Sequence, residues 1–144
     1  MKFLIINGPN LNLLGKREPG IYGQNTYDSL RERLKAFAET YGSTAECYQS
    51  NYEGDIVSAI QDADGVYDAI VMNPGALTHY SYAILDALKA VDVPCVEVHI
   101  SNVHQREEFR HKSVTAPACV GQISGLGLYG YEAAMRYFLE RDQR

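Results

Sequence analysis

Tyr22, with Arg17 five residues before it, is the first candidate for proton transfer in this sequence. Both lie in a stretch rich in Gly, Pro and Asn, residues 7–23, that precedes the first helical pattern. A free phenol has a pKa of about 10, and a guanidinium within a few ångströms lowers it, so Tyr22 could act as a base near neutral pH. A solvated arginine and a packed tyrosine explain the same residues, and from the pattern alone they are the commoner case.

Glu97 and His99 form a second candidate pair. They are two residues apart on a predicted strand, so their side chains point to the same side of it. Glu97 could then orient the imidazole of His99, the side chain best suited to acid–base chemistry near pH 7. A histidine tied to backbone at a strand end accounts for the spacing equally well.

Asn73 and His79 flank a turn with the sequence N-P-G-A-L-T-H. An amide, an imidazole and nearby backbone groups supply the donors and acceptors that a small polyhydroxy acid needs. The alternative is an ordinary Asn-Pro-Gly turn.

These residues must be positioned by the predicted secondary structure. Apolar or alternating runs predict five strands, at residues 2–6, 44–49, 69–72, 95–98 and 120–123. The clearest helical pattern spans 27–41, with Thr26 as the N-cap and Gly42 at the end. Further helices are predicted near 55–62, at 81–90 and from Leu128 onward.

Strands that alternate with helices predict an α/β fold in a single domain, residues 1–144. Five strands suggest a flavodoxin-like three-layer sandwich, with a parallel sheet of order 2-1-3-4-5 and helices on both faces. Ligands bind such sheets beyond the carboxyl ends of the strands, where the strand order reverses. The polar residues that follow the first, third and fourth strands are expected to converge there.

Composition argues against several classes of protein. A net charge of −5 disfavours a nucleic-acid binder with a basic face. No run approaches the roughly 18 apolar residues of a membrane helix, and no signal-peptide core is evident, so a cytoplasmic protein is expected. Three cysteines without C-x-x-C spacing suggest neither a disulfide framework nor a zinc site.

Gly125, Gly127 and Gly130 match the dinucleotide fingerprint G-x-G-x-x-G. The fingerprint requires a following strand and an acidic residue about 20 positions further on, and the sequence supplies neither. The glycines are therefore interpreted as turn residues that allow close backbone packing. No phosphate-binding loop or metal-ligand spacing is present, so no metal or cofactor is expected.

The stretch N-G-P-N-L-N-L-L-G-K-R-E-P-G-I-Y-G (7–23) and the segment E-V-H-I-S-N (97–102) resemble the type II 3-dehydroquinate dehydratases. The resemblance covers essentially the whole sequence. It implies a cofactor-independent lyase that converts 3-dehydroquinate to 3-dehydroshikimate by trans elimination through an enolate. That step serves both the shikimate pathway of aromatic amino-acid biosynthesis and quinate catabolism, and both roles stay open.

The resemblance also implies roles for individual residues. Tyr22 would remove a proton beside the substrate ketone with help from Arg17, and Asn10 would hold a water that stabilises the enolate. His99, with Glu97 behind it, would protonate the departing hydroxyl.

Substrate binding is implied for a second group of residues. Asn73, His79 and Arg110 would bind ring hydroxyls, and Ile100 and Ser101 would receive the carboxylate. Pattern alone predicts something simpler for Arg110, which lies in the charged run 106–110 and would be a solvated helix turn. His104 and His111 are interpreted only as surface residues.

Asp86 would reach the active site of a neighbouring subunit, within a homododecamer of four trimers. Without the resemblance, Asp86 is a solvent-facing carboxylate on an amphipathic helix.

A flavodoxin-like flavin- or nucleotide-binding module is the main alternative, because it would use the same crevice. It should have a Ser-, Thr- or Gly-rich phosphate loop after the first strand, where Pro9 and Leu11 stand instead. A receiver module would need acidic residues at the ends of the first and third strands, and Asn7 and Asn73 occupy those places.

Overall fold

Five parallel strands form one sheet in the computed structural model, which describes residues 1–16 and 25–141. The strands are β1 (Lys2–Asn7), β2 (Thr44–Gln49), β3 (Ala69–Asn73), β4 (Cys95–His99) and β5 (Gly121–Ser124). Their order is β2-β1-β3-β4-β5, and every neighbouring pair is parallel. The predicted fold class and strand order are confirmed.

Within residues 1–16 and 25–141, four α-helices cover the two faces of the sheet: α1 (Tyr27–Thr40), α2 (Glu53–Ala63), α3 (Tyr82–Ala90) and α4 (Tyr129–Arg141). Side chains of α1 and α4 pack with Phe3 and Ile5 on one face. Side chains of α2 and α3 pack with Leu4 and Ile6 on the other. Because successive residues of a strand point to opposite faces, a strand covered on both sides is apolar throughout, and this explains the continuous run at the start of β1.

The predicted ends of α1 are confirmed. The hydroxyl of Thr26 accepts a hydrogen bond from the backbone N–H of Ser29 (3.1 Å), and the hydroxyl of Ser29 accepts one from the N–H of Thr26 (2.9 Å). This reciprocal capping box satisfies two amides that the first turn would leave unpaired. At the other end, Gly42 has a φ of 66°, a left-handed conformation that glycine adopts at little cost.

Strands β1, β3 and β4 each extend one residue beyond their predicted ends, to Asn7, Asn73 and His99. These last residues are polar and buried. Asn7 still pairs in register with Asn73, so a polar side chain does not interrupt the ladder. Buried polar residues therefore stand at the carboxyl ends of these three strands.

In the described ranges, no helix combines the length and the apolar character needed to cross a membrane. The cysteines Cys47, Cys95 and Cys119 are free thiols.

Candidate active site

A crevice opens at the carboxyl ends of β1, β3 and β4. Its space, including open solvent at the mouth, is about 590 Å³. The lining residues are Pro9, Asn10, Leu11, Asn73, Gly75, Ala76, His79, His99, Ile100, Ser101, Val103, Arg106 and Arg110. Seven of the residues singled out from the sequence therefore line the same crevice: Asn10, Asn73, His79, His99, Ile100, Ser101 and Arg110.

His99 ends β4, lines the crevice and has a side chain that is 7% exposed. Its Nε2 atom is 2.9 Å from Oε2 of Glu97, whose side chain is fully buried. Burial raises the pKa of Glu97, but hydrogen bonds from His99 and Thr115 outweigh it and hold that pKa below its usual value. Glu97 is therefore a carboxylate at neutral pH. An imidazole held by a buried carboxylate can donate and accept protons at a fixed place.

The lowered pKa of Glu97 predicts how stability changes with pH. The ionised carboxylate stabilises the folded state above its unfolded pKa of about 4.3, and that contribution is lost as the pH falls through the lower folded pKa. Glu97→Gln should therefore reduce the free energy of unfolding at neutral pH, by about 1–3 kcal/mol, and the deficit should shrink below about pH 4. Urea unfolding across this pH range measures both. Exposed Glu39→Gln is the control, and a pH-independent deficit in Glu97→Gln would contradict the prediction.

Asn73 is held in place by two hydrogen bonds. Its Nδ2 donates to the hydroxyl of Tyr131 (3.0 Å), and its Oδ1 accepts from the N–H of Gly75 (3.1 Å). The Tyr131 hydroxyl in turn donates to Oδ1 of Asn7 (2.6 Å). Tyr131 follows the helical spacing of α4 as a buried phenylalanine would, so the sequence pattern indicates only an apolar position. Its contact with Asn73 depends on the fold.

His79 lines the crevice from the 3-10 segment Gly75–His79 that follows β3. Its Nδ1 is 2.8 Å from the carbonyl oxygen of Lys112, and because a carbonyl only accepts, Nδ1 is the donor. The His79 ring also meets Phe109 edge-on, with centroids 5.9 Å apart. Both contacts fix the ring and leave Nε2 as the nitrogen for a ligand.

Asn10 is the one residue other than glycine with a positive φ (73°) within residues 1–16 and 25–141. Asparagine tolerates the left-handed region better than most side chains. Its backbone N–H donates to Oδ1 of Asn51 (2.9 Å), which supports the turn after β1. The turn places Asn10 in the crevice wall.

Gly8 brings the turn after β1 against the turn after β3. Its N–H donates to the carbonyl of Asn73 (2.8 Å), and a Cβ on Gly8 would lie 2.6 Å from the carbonyl carbon of Pro74. Gly8→Ala should therefore cost about 2 kcal/mol or more of stability and lower activity, since rigid backbone must move. Gly54→Ala is the matched control: nothing lies within 4 Å of that position, and alanine should stabilise α2 by up to about 1 kcal/mol. Equal stabilities in urea unfolding would contradict the prediction.

The charge pattern of residues 106–110 predicts a solvated helix turn, and this interpretation is corrected for Arg110 and Arg106. A short 3-10 turn, Glu108–His111, does form and leaves Glu108 and Phe109 exposed, but Arg106 and Arg110 are only partly exposed and line the crevice. The Arg110 side chain is 19% exposed and its Nε donates to Glu107 (3.1 Å). Arg106, which the sequence did not single out, lines the same wall with Nη1 3.4 Å from the Ser101 hydroxyl. The only sequence feature that could have indicated a role for Arg106 is its four-residue spacing from Arg110.

His104 and His111 are exposed, as predicted, with ring centroids 5.3 Å apart.

Two glycines of the G-x-G-x-x-G match support the site through backbone hydrogen bonds. Gly125 N–H donates to the carbonyl of His99 (3.1 Å), and Gly127 N–H donates to that of Ile100 (3.0 Å). A Cβ on Gly125 would lie 2.9 Å from Cβ of Asn102. The interpretation of these glycines as close backbone packing is thus confirmed for Gly125.

Of the singled-out residues that the structure describes, two do not line the crevice: Glu97, which is buried against His99, and Asp86. Arg17 and Tyr22 lie outside the described residues. Asp86 is exposed on α3 and does not line the crevice of its own chain. Among residues 1–16 and 25–141, no group of three His, Cys, Asp or Glu side chains could hold a metal ion.

The fold and the crevice define a doubly wound α/β protein whose site is built for acid–base chemistry around a carboxylate-held imidazole. The chain belongs to the class II dehydroquinase family, whose model matches residues 1–139. The 3-dehydroquinate dehydratase of Halalkalibacterium halodurans is 58% identical over 141 residues, covering 98% of this chain and 97% of the relative. That of Bacillus cytotoxicus is 54% identical over 140 residues, covering 97% and 96%.

A crystal structure agrees with the family assignment. The type II dehydroquinase from Butyrivibrio crossotus superposes with a TM-score of 0.93 at 55% identity, covering 95% of this chain and 96% of that one. These similarities do not favour the alternative of a flavin- or nucleotide-binding module. Pro9 and Leu11 also line the crevice where such a module would need a phosphate loop.

Proposed function

We propose that this protein is a hydro-lyase that dehydrates 3-dehydroquinate to 3-dehydroshikimate without a cofactor. The observation that carries the proposal is His99, set in the crevice wall and bonded to the buried carboxylate of Glu97, in a chain of the class II dehydroquinase family. A dehydration needs an acid for the departing hydroxyl, and this pair supplies one.

In the proposed mechanism, Tyr22 removes the proton beside the ketone of the substrate. The guanidinium of Arg17 lowers the pKa of the phenol, so that the base is available near neutral pH. The resulting enolate is stabilised by a water that Asn10 holds. His99 then protonates the leaving hydroxyl, while Glu97 stabilises the imidazolium. Arg17→Lys should be severely impaired, because an ammonium cannot reproduce a planar guanidinium.

Substrate binding is assigned to the remaining walls. Asn73, His79 and Arg110 would bind ring hydroxyls through an amide, an imidazole nitrogen and a guanidinium. The backbone N–H of Ile100 and the hydroxyl of Ser101 would receive the carboxylate. The presence of all five in the lining of one crevice supports this assignment.

The test is to add 3-dehydroquinate to metal-free protein and follow the ultraviolet absorbance of the conjugated product. We expect turnover without any added metal or cofactor. No turnover by folded protein would refute the proposed function.

A second experiment separates this mechanism from a Schiff-base dehydration. The five lysines, Lys2, Lys16, Lys35, Lys89 and Lys112, are absent from the crevice lining, and all but Lys2 are exposed. None is buried in the apolar setting that activates a Schiff-base lysine. Borohydride added with substrate should therefore neither inactivate the protein nor add substrate mass to it. A covalent adduct at a lysine, or loss of activity on chelation, would overturn the cofactor-independent enolate mechanism.

We also propose that the active unit is a homododecamer of four trimers, in which Asp86 completes the site of a neighbouring subunit. The exposure of Asp86 away from its own crevice supports a role in trans. So do the exposed aromatic side chains on and beside α3, since Tyr80 is 60% and Tyr82 is 64% exposed. Light scattering should give about twelve times the chain mass, and a fully active monomer would rule out the trans site.

The cellular role we propose is the dehydroquinase step of the shikimate pathway, catalysed in the cytoplasm by a single domain, residues 1–144. Quinate catabolism passes through the same reaction. The genomic neighbours of the gene distinguish the two roles: neighbouring genes of aromatic biosynthesis would support the shikimate pathway, and neighbouring genes of quinate oxidation would favour the catabolic role.

A further inference from the structure

Glu97 is bound by four side chains at once. Its Oε2 accepts hydrogen bonds from Nε2 of His99 (2.9 Å) and Nε2 of Gln122 (2.6 Å). Its Oε1 accepts from the hydroxyls of Ser113 (3.2 Å) and Thr115. The donors come from β4, from β5 and from the segment between them, so the carboxylate is fixed from three directions.

Four donors fill the acceptor positions of an ionised carboxylate, which has two oxygens and about four lone-pair sites. A carboxylate in this state only accepts, so Nε2 of His99 must carry a proton and donate it. Nδ1 is then the ring nitrogen left to exchange a proton with a bound substrate. The direction of the Glu97 carboxylate thus decides which nitrogen of His99 can do chemistry.

The two hydroxyl donors belong to a buried cluster. Oγ1 of Thr78 lies 2.8 Å from the Ser113 hydroxyl and 2.9 Å from that of Thr115, and Ser113 also accepts from the N–H of Ala116 (2.9 Å). A hydroxyl has one proton, and both Ser113 and Thr115 give theirs to Glu97, so Thr78 is the donor within the cluster. Thr78 and Thr115 are fully buried. Water therefore cannot replace either hydroxyl without rearrangement.

We propose that Thr115 and Gln122 are positioning residues of the dehydration: they hold the Glu97 carboxylate in the one orientation that keeps His99 ready to protonate the leaving hydroxyl. Thr115 fixes one carboxylate oxygen, and Gln122 fixes the oxygen that His99 uses. Neither residue lines the crevice, so neither touches the substrate. The inference rests on the proposed function, because it assigns these residues to its acid step.

Thr115→Val tests the proposal, because valine keeps the shape of threonine and removes the donor. A hydrogen bond to a charged group is worth about 1.5–3 kcal/mol, so kcat should fall by about tenfold or more. KM should change by less than about threefold, since the lining residues are untouched. Thr115→Ser restores the donor and should recover most of the lost kcat. Gln122→Met, on a different strand, should lower kcat in the same way.

A proton-exchange measurement distinguishes positioning from simple damage. If the acid step is slowed, the enolate returns to substrate more often before water is lost. The reaction is run in D₂O, and the deuterium incorporated into recovered 3-dehydroquinate is divided by the amount of product formed, after subtraction of an enzyme-free blank. This ratio should rise in Thr115→Val and Gln122→Met. A smaller fraction of active enzyme would lower the rate and leave this ratio unchanged.

Ser43→Ala is the matched control. Ser43 is a buried hydroxyl that accepts from the terminal amino group of Met1 (3.0 Å), before β2 and at the opposite edge of the sheet. It should keep the wild-type kcat and exchange ratio. If the wild type is active and both Thr115→Val and Gln122→Met keep its kcat or its exchange ratio, the positioning role is overturned. An inactive wild type would instead refute the proposed function itself.

Discussion

His99→Ala should lower kcat for 3-dehydroquinate by at least about 100-fold, the usual contribution of a positioned general acid. His99 is the group in the crevice that Glu97 holds for proton transfer. Without it, the enolate must expel hydroxide unassisted. Initial rates followed by product absorbance measure the loss, and circular dichroism with thermal unfolding checks that the variant remains folded.

Two further variants make this result specific. Removing the imidazole leaves a buried carboxylate without one of its donors, which is itself destabilising. His99→Asn keeps an amide donor toward Glu97 and cannot act as an acid, so it should be as inactive as His99→Ala while more stable. His104→Ala removes an exposed histidine that does not line the crevice and should be unaffected. Near wild-type turnover in a folded His99 variant would exclude His99 as the acid.

The sheet and the location of the crevice could be predicted because burial leaves a strong pattern in the sequence. Strands covered on both faces are apolar throughout, so the polar residues at their ends stand out as breaks. The predicted ends fell one residue short at Asn7, Asn73 and His99. A strand ends where its backbone pairing with the neighbouring strand ends. Residues with buried polar side chains at the carboxyl ends of these strands still take part in that pairing.

The environment of Glu97 could not be predicted. Thr115 and Gln122 lie 18 and 25 residues beyond it in the chain, and neither type of residue is unusual in its own segment. They meet Glu97 because β4 and β5 are neighbours, with Glu97 in register with Gln122. Arg106 was missed for a related reason, since charge spacing indicates a helix face only if a helix forms, and here two 3-10 segments form instead. Local pattern identifies ends of elements, and tertiary contacts decide which polar residues share a site.

Subunits carrying Tyr22→Phe and subunits carrying Asp86→Ala should each be strongly impaired, and should regain activity when assembled together. Tyr22→Phe removes the proposed base, with an expected loss of at least about 100-fold. Asp86 is exposed on α3 and absent from the described crevice lining of its own chain, so we expect the loss in Asp86→Ala to arise at a neighbour's site. Exposed Glu39→Ala on α1 is the matched control and should keep wild-type activity.

Random assembly sets the size of the recovery. If each site takes Tyr22 from one chain and Asp86 from the next around a trimer, half of the chains offer an intact Tyr22 and half of their neighbours offer an intact Asp86. About one quarter of the sites should therefore be complete at equal proportions. Co-expression of the two variants with different tags, tandem purification of mixed assemblies and a turnover assay measure this fraction. If Asp86 acted within its own chain, every mixed site would lack one residue, and activity no higher than the average of the two parents would exclude the trans arrangement.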